Sequence, residues 1–345
     1  MVDFRNLTVE EMEKFLISIN EKKFRARQIY RWIHKGVNSF DDMTDISIGL
    51  QNKLKKEGYI DNIKISAKYK SSIDGTVKYL MELRDGNLIE CVVMSYSYGN
   101  SICISTQAGC SMGCAFCAST IGGRIRNLTS GEMLGEILEA GKDSGYSISN
   151  IVLMGTGEPL DNFDNVIKFL KIVNHPSGIN IGMRHITIST CGIIPRMYEF
   201  ADLDLQVTFA ISLHAPDNEI RKEIMPVAKV YDYDELLDAC RYYINKTNKR
   251  VTFEYALIDG INDSAECADE LAHKIKNMLC HVNLIPVNNI ESSKFKKPDR
   301  AKVLEFQSIL IKYGIDTTIR RELGSDINAA CGQLRRKFMS NGLKR

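Results

Sequence analysis

Residues 101–120 read SICISTQAGCSMGCAFCAST, residues 130–145 read SGEMLGEILEAGKDSG, and residues 150–159 read NIVLMGTGEP. The first and last stretches open on short apolar, β-branched runs of strand type, while the middle one carries a helical period. Strand, helix and strand in this order make a βα unit, and the pattern repeats downstream. HITIST, QVTFAISL, RVTFEYAL, HVNLIPV and DTTIRR are the further strands, with helical stretches such as YDELLDACRYYINK between them. Alternation of this kind argues for a parallel sheet with helical crossovers. The expected fold class is therefore α/β, a complete or partial β/α barrel. Polar features gather where the strands end: the cysteine cluster, Gly155 to Pro159, Ser189-Thr190, Ser212-Leu213-His214, Asn288 and a last loop carrying Cys331. A β/α barrel builds its active site at those ends.

Upstream, residues 8 to 57 read as helices. Thr8 with Glu11 forms a candidate capping box, FRARQIYRWIHKG places Ile29, Trp32 and Ile33 on one side with Gly36 as a C-cap, and DMTDISIGLQNKLKKEGYI suggests a third helix. From Ile63 to Val93 the pattern turns strand-like, with Asp85-Gly86 as a hairpin turn. Residues 1–95 are expected to form a small helical domain plus a β-hairpin, and residues 96–345 the core. The chain has 345 residues, 44% hydrophobic and 26% charged, with a net charge of +2. That profile is soluble and globular, and near-neutrality leaves room for local basic patches. No run approaches the ~20 apolar residues that span a bilayer. The acidic, amphipathic start is unlike a signal peptide, so a cytoplasmic protein without membrane association is expected.

There are ten cysteines. Clustering without an export signal favours metal or redox chemistry over disulfides. Cys110, Cys114 and Cys117 form C-x3-C-x2-C, with Gly109 and Gly113 letting the loop fold tightly. Three thiolates on one loop suit a [4Fe–4S] cluster with one iron left open for a substrate. Structural zinc is the competing reading, but it normally takes four ligands, and Cys103 lies seven residues upstream within a strand. Three inert buried thiols are the other. Alternation puts Ile102 and Ile104 on one face of that strand, and Ser101, Cys103 and Ser105 on the other. For Cys103 and Cys331 the bland reading is a small buried hydrophobe.

C-x3-C-x2-C resembles the signature of the radical S-adenosylmethionine (SAM) superfamily, and GTGEP resembles its GGEP motif, whose backbone binds the SAM amino group. QAGCSMGCAFC, LMGTGEPLDN, HITISTCGIIP, ISLHAPDNEIRKEIMP, HVNLIPVN and GSDINAACGQLRR together resemble the RlmN family over nearly the whole chain. The resemblance implies a partial barrel of the radical SAM type, a [4Fe–4S] cluster held by Cys110, Cys114 and Cys117, and SAM as second cofactor. It implies methylation of carbon-2 of adenine, at adenine-2503 of 23S rRNA and adenine-37 of tRNA. Two SAM are used in ping-pong fashion. Cys331 accepts a methyl group from the first, and a radical from the second converts it to a methylene radical that adds to carbon-2. Cys103 then resolves the covalent adduct through a transient disulfide, which needs Cα atoms within roughly 7 Å. Glu90 matches the family's proposed acceptor of the carbon-2 proton; its bland reading is a solvated strand carboxylate. Gly157 and Glu158 are implied at the SAM methionine end, and Ser189, Ser212, Leu213, His214 and Asn288 around the rest of the pocket. The implied partners are 23S rRNA, tRNA and an electron donor such as flavodoxin or ferredoxin, with the enzyme a monomer.

Pro159 favours the carbon-2 enzymes, since the sister Cfr family, which methylates carbon-8, carries Ala there. A radical SAM activase or maturase acting on a protein or small molecule would leave Cys103 and Cys331 without a task. A non-enzymatic iron–sulfur or zinc module binding RNA would leave GTGEP unexplained. Lys22 to Lys35, Gly122 to Arg126 and Arg335 to Arg345 are candidate RNA contacts, with Arg124 and Arg126 preferred because they follow the cluster.

Overall fold

The computed structural model describes residues 1–287 and 295–327. Its centre is a ten-stranded sheet whose spatial order follows the chain: β1 (Lys64–Lys70), β2 (Val77–Glu82), β3 (Leu88–Tyr96), β4 (Gly99–Cys103), β5 (Ile148–Leu153), β6 (Ile186–Thr190), β7 (Thr208–Ser212), β8 (Val251–Leu257), β9 (Cys280–Pro286) and β10 (Asp316–Ile319). Strands β4 to β10 are parallel, as the alternating pattern predicts, and β1, β2 and β3 extend the sheet beyond β4 as an antiparallel meander. The two edge strands, β1 and β10, do not pair, so the barrel is partial.

Strand parity separates the two faces. Ile102 and Ile104, Ile151 and Leu153, Ile186 and Ile188, Phe209 and Ile211, and Phe253 and Tyr255 enter one large core with the crossover helices. Those helices are α4 (Ser130–Ser144), α5 (Phe163–Asn174), α6 (Ile194–Asp202), α8 (Tyr233–Thr247), α9 (Ala265–Ile275) and α10 (Arg300–Lys312). The alternate residues, including Cys103, Ser189, Ser212, Glu254 and Asn283, face the barrel lumen.

Three N-terminal helices, α1 (Val9–Ser18), α2 (Arg25–His34) and α3 (Ile48–Glu57), share a second core built on Phe4, Met12, Ile29, Tyr30, Phe40 and Leu54. The Thr8–Glu11 capping box forms, and Gly36 follows α2 at φ +77. The third helix starts at Ile48, later than the sequence suggested. Ser47 caps it, and the residues before it make a short turn at Phe40–Asp42. Two glycines one helical turn apart seat this unit on the barrel. A Cβ on Gly131 of α4 would lie 2.7 Å from Asp3 Oδ2 and 2.9 Å from the Asn6 nitrogen, and one on Gly135 would lie 2.8 Å from Ile63 Cδ1. Buried Arg5 donates to Glu139 at 2.8 Å, and the Tyr30 hydroxyl donates to the Ile172 carbonyl at 2.8 Å.

Because the backbone clash at Gly131 cannot relax cheaply, Gly131→Val is expected to cost about 1–3 kcal/mol of stability. Urea unfolding measures it; an unchanged midpoint would mean that the N-terminal unit is not docked on α4.

Candidate active site

The strand ends β5 to β10 and the cysteine loop that follows β4 surround one cavity of about 280 Å³. Cys110, Cys114 and Cys117 line it together with Gly157, Glu158, Ser189, Ser212, His214, Glu254 and Arg320. The loop after β5 must lie flat on the end of β4. A Cβ on Gly155 would meet the Ile104 carbonyl at 2.5 Å, and one on Gly157 (φ +111) would meet Gln107 Cβ at 2.6 Å. The Glu158 carboxylate is buried and bonded on both oxygens, accepting the Leu160 N–H at 2.9 Å and the Cys191 N–H at 2.8 Å. Burial pushes its pKa up. Its side chain therefore ties the β5 loop to the β6 loop at the cavity wall.

Ser189 and Ser212 face each other with hydroxyls 3.5 Å apart. His214 follows β7 in a left-handed conformation, φ +59. Its Nδ1 accepts the Ala256 N–H at 2.9 Å, and its ring stands edge-on to Phe116 at 5.0 Å. Burial, with the nearby Arg221 charge, lowers its pKa to about 3. The ring is neutral and carries its proton on Nε2. Leu213 is different: its side chain is in the helix-side core, its N–H bonds to the Glu254 carbonyl, and its own carbonyl accepts from Arg221. Asn288 and Cys331 lie outside the described residues, as does the basic tail.

The three cluster cysteines are suited to a cationic iron–sulfur group. Burial and mutual repulsion raise the pKa of Cys114, and burial takes Cys110 to about 11. Thiolates in such a place need positive charge. The Arg221 guanidinium supplies part of it, and its Nη1 is buried with no hydrogen-bond partner among the described residues. Among the described residues no three His, Cys, Asp or Glu are gathered tightly enough for a single metal ion. Thiolates sharing one zinc at about 2.3 Å must crowd together, whereas those on separate irons of a cubane stand further apart.

Cys103 and Glu90 lie on neighbouring antiparallel strands and face the lumen. Cys103 is directly opposite Val92, two residues from Glu90. Glu90 is only 5% exposed, so it is not a solvated carboxylate, and its side chain stands 3.6 Å from Lys78 Nζ. Sequence reading missed Lys78, Gln107, Arg221, Glu254 and Arg320. Strand alternation in TVKYLME could have exposed Lys78, because Val77, Tyr79 and Met81 take the opposite face. The preferred RNA contacts fare less well. Arg124 pairs with Asp161, and Arg126 forks onto Glu132 at 2.7 and 2.8 Å while its Nε meets Asp85. Those charges hold the short ribbon of Gln107–Gly109 and Arg124–Asn127 in place. Lys22, Lys23, Arg27, Arg31 and Lys35 instead remain exposed on and beside α2, with Phe24.

His214 binds fewer protons folded than unfolded between pH 6.5 and about 3, so its contribution to stability is lost as pH is lowered through that window. His214→Gln is expected to flatten that fall. Urea midpoints from about pH 7 to about pH 4 test it, and an unchanged slope would mean that His214 is charged in the fold.

The Radical SAM superfamily profile matches residues 104–272, and the profile described as "Ribosomal RNA large subunit methyltransferase N-terminal domain" matches residues 2–60. A Clostridium novyi protein named "Probable dual-specificity RNA methyltransferase RlmN" is 57% identical over 342 residues, covering 99% of this chain and 100% of that one. An Alkaliphilus oremlandii protein of the same name is 56% identical over 340 residues, with 99% of each covered. The crystal structure of a radical SAM methyltransferase from Sphaerobacter thermophilus superposes with a TM-score of 0.92 at 38% identity, covering 96% of this chain and 99% of that one.

Proposed function

The chain belongs to the RlmN family of dual-specificity RNA methyltransferases, within the radical SAM superfamily, and from that premise we propose that it methylates carbon-2 of adenine-2503 in 23S rRNA and of adenine-37 in tRNA. The observation that carries the chemistry is one of placement. The sheet face that lines the three-cysteine cavity also bears Cys103 and Glu90. Carbon-2 of adenine is electron-poor, so a direct polar methyl transfer fails and a radical route is required.

Cys110, Cys114 and Cys117 would hold the [4Fe–4S] cluster. When bound, cluster and SAM supply a carbon radical by reductive cleavage. Gly157 brings the loop backbone close enough to take the methionine end of SAM, and Glu158 fixes that loop. Ser189, Ser212 and the neutral His214 offer hydroxyls and one N–H along the adenosyl part. Leu213 serves there through the backbone turn it anchors, and Asn288 completes the pocket. Cys331 would carry the methyl group as an S-methyl thioether; a carbon radical takes one hydrogen atom from that methyl group, and the methylene radical left on the Cys331 sulfur adds to carbon-2. Glu90 takes the carbon-2 proton. Cys103, as a thiolate, attacks the Cys331 sulfur, so that an S–S bond forms as the S–C bond to the RNA breaks; the electron pair of that bond stays on the methylene carbon, which takes a proton to become the methyl group. Reduction of that disulfide by two electrons and two protons restores both thiols, a donor of the flavodoxin or ferredoxin class supplies the electron for reductive SAM cleavage, and the enzyme works as a monomer. The domain division proposed is residues 1–95, contacting RNA, and 96–345, performing the chemistry.

Anaerobic turnover followed by mass spectrometry of the nucleosides is expected to yield 2-methyladenosine; 8-methyladenosine alone would move the enzyme to the sister chemistry. Cys331→Ala is expected to lose methyl transfer while still cleaving SAM, and full methylation by that variant would overturn the mechanism. For RNA binding, the exposed face of α2 takes the place of Arg124 and Arg126. Reversing the charge of Arg27 and Arg31 together is expected to weaken tRNA binding about tenfold at low salt and to reduce its salt dependence. Unchanged affinity in a filter-binding titration would remove α2 from the interface.

A further inference from the structure

Among the described residues Lys78 is the only buried lysine. It sits on β2, in the hairpin that widens the sheet, and pairs in register with Val92, which in turn pairs with Cys103. Lys78, Val92 and Cys103 thus form one row across three strands on the lumen face. Glu90 lies diagonal to Lys78 on the neighbouring strand, in the range where long side chains meet. The two charged ends are 3.6 Å apart, with side chains 1% and 6% exposed.

Packing does not ask for this pair. Leu80 and Val92, its neighbours on the same face, are apolar. Burying an ammonium and a carboxylate together is at best neutral against hydrophobic residues of the same size. The other acidic group near this part of the sheet, Glu136 on α4, is on the opposite side and accepts the Ser105 N–H at 3.0 Å. Ser105 in turn donates its hydroxyl to the Glu90 carbonyl at 2.8 Å, which fixes the backbone of Glu90 beneath its side chain.

We propose that Lys78 is a positioning residue for the proton-transfer step, holding the Glu90 carboxylate against the lumen wall beside Cys103. This rests on the reading that Glu90 accepts the carbon-2 proton. In that step the carbon-2–hydrogen bond breaks, the proton goes to a Glu90 oxygen, the C–H electron pair restores the adenine ring, and the adduct's one unpaired electron would pass to the oxidised iron–sulfur cluster of the holoenzyme as one-electron acceptor. A carboxylate that swings away from Cys103 cannot take that proton, so the covalent enzyme–RNA adduct would form but not resolve. Lys78 acts on release of the product and not on generation of the radical, which takes place at the cysteine loop.

The test uses the reconstituted holoenzyme and a tRNA transcript in anaerobic single turnovers. The readouts are 5′-deoxyadenosine formed, methylated RNA released, and covalent protein–RNA species on a denaturing gel. Lys78→Met is expected to slow release by about 100-fold, the cost of displacing a reacting group by about 1 Å, while 5′-deoxyadenosine still forms and the covalent species accumulates. Lys78→Arg, which keeps the charge and guards against a simple folding defect, is expected to recover most of the release. Lys78→Met combined with Glu90→Gln should be no slower than Glu90→Gln alone, since the two act as one unit. Equal losses of 5′-deoxyadenosine and release in Lys78→Met, absence of any covalent species, no rescue by arginine, or additive effects in the double variant would each overturn the proposal. Normal release by Glu90→Gln would instead sink the reading of Glu90 itself, and the role of Lys78 with it.

Discussion

One buried guanidinium holds the mouth of the barrel together. Arg221, from α7 (Asn218–Ile224), donates to the carbonyls of Cys191 at 2.6 Å, Leu213 at 3.2 Å and Ser212 at 3.3 Å. Cys191 passes the link on through its N–H to Glu158, and the Glu158 N–H bonds to the Gln107 side chain at 2.9 Å. Four strand ends, those of β7, β6, β5 and β4, are thereby tied in a single line. Loops at strand ends carry backbone groups that the sheet cannot satisfy, and a buried loop with unpaired carbonyls would be unstable. A planar donor with five N–H groups is the side chain able to serve several carbonyls at once. The same charge lies close enough to Cys114 to lower its pKa against the effect of burial. Loop geometry and thiolate electrostatics therefore depend on the same residue.

The antiparallel extension has a comparable double effect. Without β1 to β3, β4 would be an edge strand with unpaired backbone groups. Pairing it with β3 closes that edge and also sets Glu90 and Lys78 beside Cys103 on the lumen face. The β1–β2 turn reaches further. Asp74 accepts the Gly324 N–H at 2.8 Å, and Asp326 accepts the Ser72 N–H at 2.9 Å. The hairpin at one end of the sheet thus holds the segment that follows its last strand.

Much of this was legible in the chain because the signals are local. Period-two apolar runs gave all seven parallel strands, and Asp85-Gly86 gave the hairpin turn. The cysteine spacing needs only eight residues to be read. What could not be read depends on partners far apart in sequence. Arg126 reads as a free surface cation in the sequence, and only the fold shows that Asp85 and Glu132 pair with it. Glu90 looks solvated until β2 brings Lys78 across from a separate strand. Ser212, Leu213 and His214 are consecutive, yet parity and the turn after β7 send Leu213 to the core and its two neighbours to the cavity. Gly131 and Gly135 read as ordinary helix positions; only the approach of the Arg5–Asn6 backbone shows why Gly131 takes no Cβ, while at Gly135 the tip of Ile63 would have to shift.

The docking of the N-terminal unit bears on how RNA binding could serve catalysis. Binding energy gained at a distance helps the reaction only if the binding element is fixed relative to the reacting groups. Helix α2 carries the exposed basic residues on one side, while Tyr30 and His34 on its other side bond to the barrel at Ile172 and Ile179. Burial lowers the His34 pKa to about 3, so its Nδ1 stays a hydrogen-bond acceptor at neutral pH. The contacts made by this helix are thus polar, buried and specific in direction, unlike a flexible linker. A tRNA or rRNA segment held by α2 would be held in a set orientation to the cavity mouth, and extrusion of the target base, which costs a few kcal/mol of stacking, could draw on that remote binding energy.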